Sequence, residues 1–152
     1  MSLKDFSRYF AEKSLVKDRV EKVVETLRVK LSGGAVEFTD EEDLKDRIRD
    51  ICLGFDPYLL RDQIREGYMG AYNVDFILWR GLLAMEVKLV RSGEDLERAV
   101  TEMVSHIPTL SSLYSNVLFL VYDAKEVIGN PEEFKGSIES KSDNIKVLII
   151  KV

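Results

Sequence analysis

Apolar residues recur at a helical spacing over the first part of the chain. Between Leu3 and Leu31 they fall near a period of about 3.6 residues, at Val16, Val20, Val23, Val24 and Leu27. The segment Ser32-Gly33-Gly34 that follows is typical of a helix end. We therefore predict an N-terminal helical region over residues 1–34, either continuous or broken near Ser14.

A second amphipathic helix begins after Asp40, whose side chain can cap the first turn. Its apolar stripe consists of Leu44, Ile48, Ile51 and Cys52. Gly54 and Pro57 end this helix. For residues 58–64 we predict a short helix or an irregular turn. A mobile or tightly turned connection follows, marked by Gly67, Gly70 and Asn73.

Two runs of β-forming residues occupy the middle of the chain. Val74–Trp79 and Leu82–Val90 are rich in such residues, and Arg80-Gly81 between them suits a hairpin turn. We predict two adjacent antiparallel strands. A helix then runs from Ser92 to about Ile107, where Pro108 is expected to end it.

The last third of the chain has the order of a parallel α/β unit. Val117–Tyr122 is a continuous apolar run typical of a buried strand, and the preceding helix allows a right-handed crossover. Asn130-Pro131 opens a short helix to about Ser140, and residues 145–152 form a final strand. The whole pattern predicts one α/β domain with a mixed central sheet of four or five strands and helices on both faces.

Composition narrows the class of protein. The 152 residues are 45% apolar, which suffices for a single core, and no apolar run approaches the roughly 18 residues that span a bilayer. We expect a cytoplasmic protein with no membrane partner. Cys52 is the only cysteine, which excludes an intramolecular disulfide and thiolate-rich metal sites. A net charge of −5 confines any nucleic-acid surface to a local basic face.

Three charged residues stand within the predicted strand pair. Asp75 lies near the start of the first strand, and Glu86 and Lys88 share one face of the second because strand side chains alternate. A lone Glu-x-Lys is usually a surface pair. Three charges in a half-buried strand pair are costly unless they pair with one another or with a cation. The carboxylates can bind Mg²⁺ or Mn²⁺, and the Lys88 ammonium can stabilise a negatively charged transition state or position the attacking water. We expect the acidic edge of the hairpin to be exposed in a cleft.

The segments Val74-Asp75-Phe76-Ile77-Leu78 and Met85-Glu86-Val87-Lys88-Leu89 resemble the motif of the PD-(D/E)XK nuclease superfamily. The likeness extends over about residues 36–152, and residues 119–123 with Asn130-Pro131 are similar to a stand-alone prokaryotic branch. It implies a restriction-endonuclease-like core over residues 35–152 with an extra N-terminal helix. Val74 stands where the superfamily motif has its proline, which makes no metal contact.

The resemblance also implies roles for individual residues. Asp75 and Glu86 would be metal ligands, with the main-chain carbonyl of Val87 as a further ligand, and Lys88 would be the catalytic lysine. An acid on the upstream helix is expected as well, for which Glu41 is favoured over Glu42 and Asp43.

The implied function is Mg²⁺- or Mn²⁺-dependent hydrolysis of DNA by an activated water, with RNA as an alternative substrate. Cutting both strands of a duplex requires two active sites, so we expect a homodimer on such a substrate. Two alternatives remain open: a catalytically degenerate module that binds nucleic acid or a protein, and an enzyme that resolves Holliday junctions.

Other polar and aromatic residues have weaker interpretations. His106 could assist catalysis or contact phosphate, although a lone histidine on a helix is more often structural or solvated. Three arginines could contact the DNA backbone or pair with neighbouring acids: Arg61, Arg65 and Arg91. Three aromatic residues could stack on bases but more often pack against the fold: Tyr68, Tyr72 and Trp79.

Overall fold

The structure is a computed structural model that describes residues 2–34, 37–67 and 70–152, with the side chains of all of these except 3–14 and 65–72. Four α-helices and five strands follow one another in these described ranges: α1 Leu3–Leu31, α2 Glu41–Cys52, β1 Leu60–Gly67, β2 Gly70–Leu78, β3 Leu83–Val90, α3 Gly93–Leu113, β4 Val117–Asp123, α4 Pro131–Glu139 and β5 Ile145–Lys151. A short 3₁₀ helix, Trp79–Gly81, connects β2 to β3.

The strands form one sheet in the order β1-β2-β3-β4-β5. β2 pairs antiparallel with both β1 and β3, whereas β4 pairs parallel with both β3 and β5. Helices α3 and α4 make the two long connections that parallel strands require. The predicted α/β class with a mixed sheet is confirmed, and the architecture is restriction-endonuclease-like.

Helices cover both faces of this sheet. One core lies between the sheet and helices α1 and α2, and its fully buried side chains include Leu27, Leu44, Ile48, Phe76, Met85 and Leu120. The other lies under α3 and α4, with Ala99, Met103, Ile138, Phe119 and Val121. The central strands β3 and β4 are therefore covered on both faces and almost entirely buried, so a charged side chain on them is unusual.

The predicted helix starts are confirmed by their capping contacts. The Asp40 carboxylate accepts a hydrogen bond from the Asp43 N–H at 2.8 Å, and the Asn130 side chain accepts one from the Glu133 N–H at 3.1 Å. Each satisfies a backbone donor of the first turn that has no partner within the helix. Helix α1 runs without interruption through Ser14, so the alternative of a break there is wrong.

Residues 60–64 do not form the short helix or irregular turn that the sequence predicts. They lie in β1, which pairs with β2 from Leu60 opposite Ile77 to Gly67 opposite Gly70, and only residues 58 and 59 before it are irregular. β1 is an edge strand with exposed side chains, including Leu60 and Ile64. Since neither face of this strand is fully buried, its sequence lacks the alternating apolar pattern on which strand prediction depends.

Helix α3 passes through Pro108 and ends at Leu113, so the prediction that Pro108 ends it is wrong. A proline inside a helix costs about 3 kcal/mol because one hydrogen bond is lost and the ring crowds the preceding turn. Leu110 lies beyond the proline and is 2% exposed in the same core as Met103 and Ile107. We attribute the continuation of the helix to this burial, which offsets part of the cost.

Among the described residues, no helix is long and apolar enough to cross a membrane.

Candidate active site

Asp75 lies where β2 and β3 separate. The two strands pair only from Phe76 opposite Met85 to Leu78 opposite Leu83. Beyond this point the Asp75 Oδ2 accepts a hydrogen bond of 2.7 Å from the Val87 N–H, a donor that a continuing strand would otherwise satisfy. The side chain of Asp75 therefore fills the gap between the strands.

Strand alternation also breaks at Asp75. Phe76 and Leu78 pack in the core under α1 and α2, and strict alternation would place Val74 with them. Val74 instead packs with Ile77 in the opposite core. This local departure lets Asp75 reach α2 while Glu86 and Lys88 lie on the α3 face.

Helix α2 supplies two groups to the gap. The Nζ of Lys45 lies 2.8 Å from the Asp75 Oδ1 and 3.7 Å from the Glu41 Oε1. The Glu41 Oε2 accepts a hydrogen bond from the Leu89 N–H at 3.3 Å. Asp75 and Glu41 thus take the N–H groups of Val87 and Leu89, two successive donors on the same edge of β3.

Of the three acids in the first turn of α2, the structure brings Glu41 to the motif. Glu42 forms an ion pair of 2.8 Å with Arg61, and Asp43 accepts a hydrogen bond from the Thr39 N–H. Glu41, the favoured upstream acid, is therefore the one of the three that contacts β3, and its role as a ligand stays a prediction.

Glu86 and Lys88 meet helix α3 on the other face. The Glu86 carboxylate lies 3.0 and 3.1 Å from the Nδ1 of His106 and 3.2 Å from the Nζ of Lys88. Lys88 also forms a close ion pair with Glu102. His106 is therefore a partly buried neighbour of Glu86, and whether its role is structural or catalytic stays a prediction.

The main-chain carbonyl of Val87 faces the gap between β2 and β3. In an extended strand, the N–H and C=O of one residue point to the same side. Because the Val87 N–H reaches Asp75, its carbonyl faces the same gap between β2 and β3. Among the predicted ligands, this oxygen is the one supplied by the backbone.

The site is more enclosed than an open cleft. The sequence leads us to expect an exposed acidic edge, but Asp75 is 5% exposed and Glu86 4%. Lysine, histidine and glutamate side chains from α2 and α3 cover these carboxylates. Lys45 and Glu102 are the residues that sequence reasoning missed. Their signals were weak: Lys45 follows Glu41 by one turn beside a buried stripe, and Glu102 precedes His106 by one turn.

Burial and charge shift the ionisation of this cluster. Burial raises the pKa of Asp75, although Lys45 and the Val87 N–H oppose it, and burial likewise raises the pKa of Glu41 against the attraction of Lys88. Burial alone would lower the pKa of Lys88, but Glu86 and Glu102 outweigh it and raise that pKa. Burial alone would also lower the pKa of Lys45, but the hydrogen bond to Asp75 and the charges of Asp75, Glu41 and Glu42 together outweigh it and raise that pKa. The hydrogen bond to Glu86 raises the pKa of His106 against burial.

The donor chemistry of the site fits a hard divalent cation. We use the name charge cluster for Glu41, Lys45, Asp75, Glu86, Lys88 and Glu102. Its four carboxylates outnumber its two ammonium groups, and carboxylate oxygens are the ligands that Mg²⁺ and Mn²⁺ favour. Among the described residues, no three His, Cys, Asp or Glu side chains are yet arranged to hold an ion. The two ammonium groups lie between the carboxylates.

The remaining candidates lie outside the charge cluster. Arg61 forms ion pairs of 2.8 Å with Glu42 and 2.6 Å with Asp46. Trp79 donates from its Nε1 to the Phe55 carbonyl at 3.2 Å, so it packs against the fold. Tyr68 lies outside the described residues, and so do the side chains of Arg65 and Tyr72.

Arg91 lines a cavity next to the cluster. Its guanidinium donates to the carbonyls of Phe38 and Thr39. The cavity has a volume of about 280 Å³, and Leu89 and Lys125 are among the residues that line it. Phe38 and Tyr122 form an edge-to-face pair there, with ring centroids 5.1 Å apart.

Comparison with known proteins gives one family. The model of the DpnII-MboI restriction endonucleases matches residues 16–152, about nine-tenths of the chain. The match includes the second half of α1 and every described strand. No curated protein and no solved structure gives a significant match.

Proposed function

The chain belongs to the DpnII-MboI family of restriction endonucleases, and we propose that it hydrolyses DNA phosphodiester bonds in a reaction that depends on Mg²⁺ or Mn²⁺. The family consists of DNA-cleaving nucleases. The proposal adds the site, the metal and the roles of individual residues.

The observation that carries this proposal is the convergence of the motif at the point where β2 and β3 separate. Asp75 accepts the Val87 N–H, and the carboxylate of Glu86 and the ammonium of Lys88 lie 3.2 Å apart on the following strand. Buried charges are costly, so their concentration in a sheet with two apolar faces requires compensation. A catalytic role for them explains why the chain retains them.

Asp75, Glu86, the Val87 carbonyl and Glu41 would hold the cation. When bound, it supplies positive charge to a phosphate oxygen and favours ionisation of the attacking water. The carboxylates fix its position because Asp75 is held by the Val87 N–H and Glu86 by His106. Burial of these groups limits water around the reacting phosphate and strengthens each electrostatic contact.

Lys88 would act on the phosphate. Its ammonium is held between Glu86 and Glu102, and its raised pKa keeps it charged at neutral pH. A fixed positive charge stabilises the additional negative charge that develops on phosphate oxygens in the transition state. Lys88 can also position the attacking water by donating a hydrogen bond to it.

DNA would approach along the cavity beside Arg91. This cavity opens past the carboxyl ends of the parallel strands β3 and β4, where open α/β sheets usually bind ligands. Its lining contains two basic residues, Arg91 and Lys125, and one acidic residue, Glu37, in a chain whose net charge is −5. A local basic surface of this kind supplies phosphate contacts that the whole molecule does not.

The test is a cleavage assay on supercoiled plasmid, linear duplex, single-stranded DNA and RNA, with Mg²⁺, Mn²⁺ or EDTA. We expect cutting of DNA with either metal and none with EDTA. Asp75→Asn should abolish cutting. The matched control is Asp56→Asn, because Asp56 is another buried aspartate that accepts backbone N–H groups, here those of Tyr58 and Trp79.

Two results would favour other functions. DNA binding in EDTA without cleavage in any metal would indicate the degenerate module. Cleavage restricted to four-way junctions would indicate a resolving enzyme with the same chemistry. For cleavage of both duplex strands, we propose a homodimer, and sedimentation of the protein on a short duplex would detect it.

A further inference from the structure

The charge cluster contains a lysine that the proposed hydrolysis does not use. Lys45 is 6% exposed, although lysine is among the residue types least often buried. Its ammonium lies 2.8 Å from the Asp75 Oδ1 and 3.7 Å from the Glu41 Oε1, so it bridges two of the proposed metal ligands. Its position is that of a cation between two carboxylates.

A third carboxylate lies within reach of the Lys45 ammonium. Glu42, which is exposed, lies 3.5 Å from the Lys45 ammonium on the outer side of α2. The four-carbon stem of lysine is flexible, so the ammonium can move from Asp75 towards Glu42 and solvent without a change in the backbone. Asp75 itself stays in place because the Val87 N–H holds its second oxygen.

From this geometry we propose that Lys45 is an internal counter-ion, which occupies the place of the divalent cation beside Asp75 and Glu41 and leaves it when that cation binds. Before the metal binds, its charge compensates the carboxylates of Asp75 and Glu41, which would otherwise repel each other in a buried site. The inference rests on the proposed function, since it assumes that Asp75 binds a metal.

Competition follows from this role. A metal ion must displace the ammonium before it can use the Asp75 Oδ1, so Lys45 lowers the apparent metal affinity. A variant without the ammonium leaves Asp75 and Glu41 uncompensated until metal arrives. It should therefore bind metal more tightly and be less stable without it.

The experiment is calorimetric titration of the full chain with Mn²⁺ in the absence of DNA. Lys45→Met should bind Mn²⁺ at least tenfold more tightly than the wild type, and Lys45→Arg, which keeps a positive charge, should not. The matched control is Lys151→Met. Lys151 is a partly buried lysine at the end of β5, and its ammonium donates a hydrogen bond of 2.8 Å to the Ile128 carbonyl. In EDTA, Lys45→Met should melt below the wild type, and Mn²⁺ should raise its melting temperature by more.

A second measurement uses the wild type and does not depend on the folding of a variant. Acetylation of lysines, followed by mass spectrometry, should show Lys45 protected in EDTA and at least severalfold more reactive with Mn²⁺. Lys151 serves as the internal reference.

Unchanged or weaker Mn²⁺ affinity in Lys45→Met, or equal labelling of Lys45 with and without metal, overturns the proposal. If the wild type still cleaves DNA with metal, that failure concerns Lys45 alone. If the wild type neither binds Mn²⁺ nor cleaves, the proposed function fails as well.

Discussion

At the residue scale, Lys88 is the group whose charge the reaction needs most directly. Its Nζ contacts Glu86 and Glu102, and no backbone group depends on it in the contacts described. Lys88→Met keeps most of the side-chain volume and removes the charge. We expect the single-turnover cleavage rate to fall by roughly 10² to 10³, the usual cost of losing one transition-state contact.

Lys151→Met is again the control for Lys88→Met, and its rate should stay within a few-fold of the wild type. Circular dichroism checks that both variants fold. A Lys88→Met rate close to that of the control would show that Lys88 only neutralises its carboxylate neighbours.

Cys52 gives a prediction about stability and pH. Burial raises the pKa of its thiol to about 12, from an ordinary value of 9.0. Above pH 9 the unfolded thiol ionises while the folded one keeps its proton. The stability that Cys52 contributes is therefore fully present below pH 9 and is lost as pH rises towards 12.

Urea unfolding of the wild type and Cys52→Ala at pH 8 and pH 10 measures this loss. The wild type should be more stable at pH 8, because the alanine leaves a cavity, and its advantage should shrink by about 1 kcal/mol at pH 10. An advantage that stays constant between the two pH values would contradict the assignment.

The sequence predicts some residues of the site and misses others for a physical reason. Asp75, Glu86 and Lys88 lie on two adjacent strands, so strand spacing alone groups them. Lys45 and Glu102 reach them from helices whose docking depends on tertiary packing. A helix pattern shows which face is apolar, but not which charged residue at its border meets a carboxylate on another element.

At the element scale, Arg61 joins β1 to helix α2. Its guanidinium pairs with Glu42 and Asp46, and its Cζ lies 5.8 Å from the centre of the Phe76 ring. Because both acids are well exposed, the ion pairs themselves contribute little, and packing over Phe76 adds to them. We expect Arg61→Ala to lower the free energy of unfolding by about 1 kcal/mol.

Arg49→Ala is the comparison for Arg61→Ala, since Arg49 pairs at 3.6 Å with Asp50 on the exposed side of the same helix. Its effect should be within about 0.5 kcal/mol. Equal effects of the two substitutions in urea unfolding would show that Arg61 does not tie the β1–β2 pair to α2.

The elements that the sequence predicts are those with two apolar faces or a strong cap. β4 is a continuous run of buried residues, and the side chains of Asp40 and Asn130 cap the first turns of α2 and α4. The sequence does not predict β1, because an exposed edge strand has no alternating apolar pattern. The sequence places the end of α3 at Pro108, but the helix continues to Leu113 because the burial of Leu110 outweighs the helix-breaking effect of the proline.

At the scale of the whole molecule, a chain with a net charge of −5 must bind DNA, which is itself negatively charged. The proposed path past Arg91 and Lys125 predicts that Lys125→Glu weakens DNA binding severalfold or more, since it reverses a charge next to the site. Fluorescence anisotropy of a labelled duplex with Ca²⁺ in place of Mg²⁺ measures this affinity.

Lys141→Glu makes the same change in net charge on an exposed lysine after α4, far from the carboxyl ends of β3 and β4. Its affinity for DNA should stay within about twofold of the wild type if contact with DNA is local, as counter-ion release requires. Equal losses in the two variants would instead indicate an effect of net charge and remove the support for this path.

The central claim is that a buried, negatively charged site at the separation of β2 and β3 cleaves DNA, and Glu86→Gln tests it most directly. This substitution keeps the shape of the side chain and removes its charge. The measurement is the single-turnover cleavage rate of one duplex at saturating Mg²⁺. Glu139→Gln is the control, because Glu139 is a partly buried glutamate on α4 that lies 4.0 Å from Lys135. We predict a loss of at least about 10²-fold for Glu86→Gln and a rate near that of the wild type for Glu139→Gln. Equal rates in both variants would contradict the account.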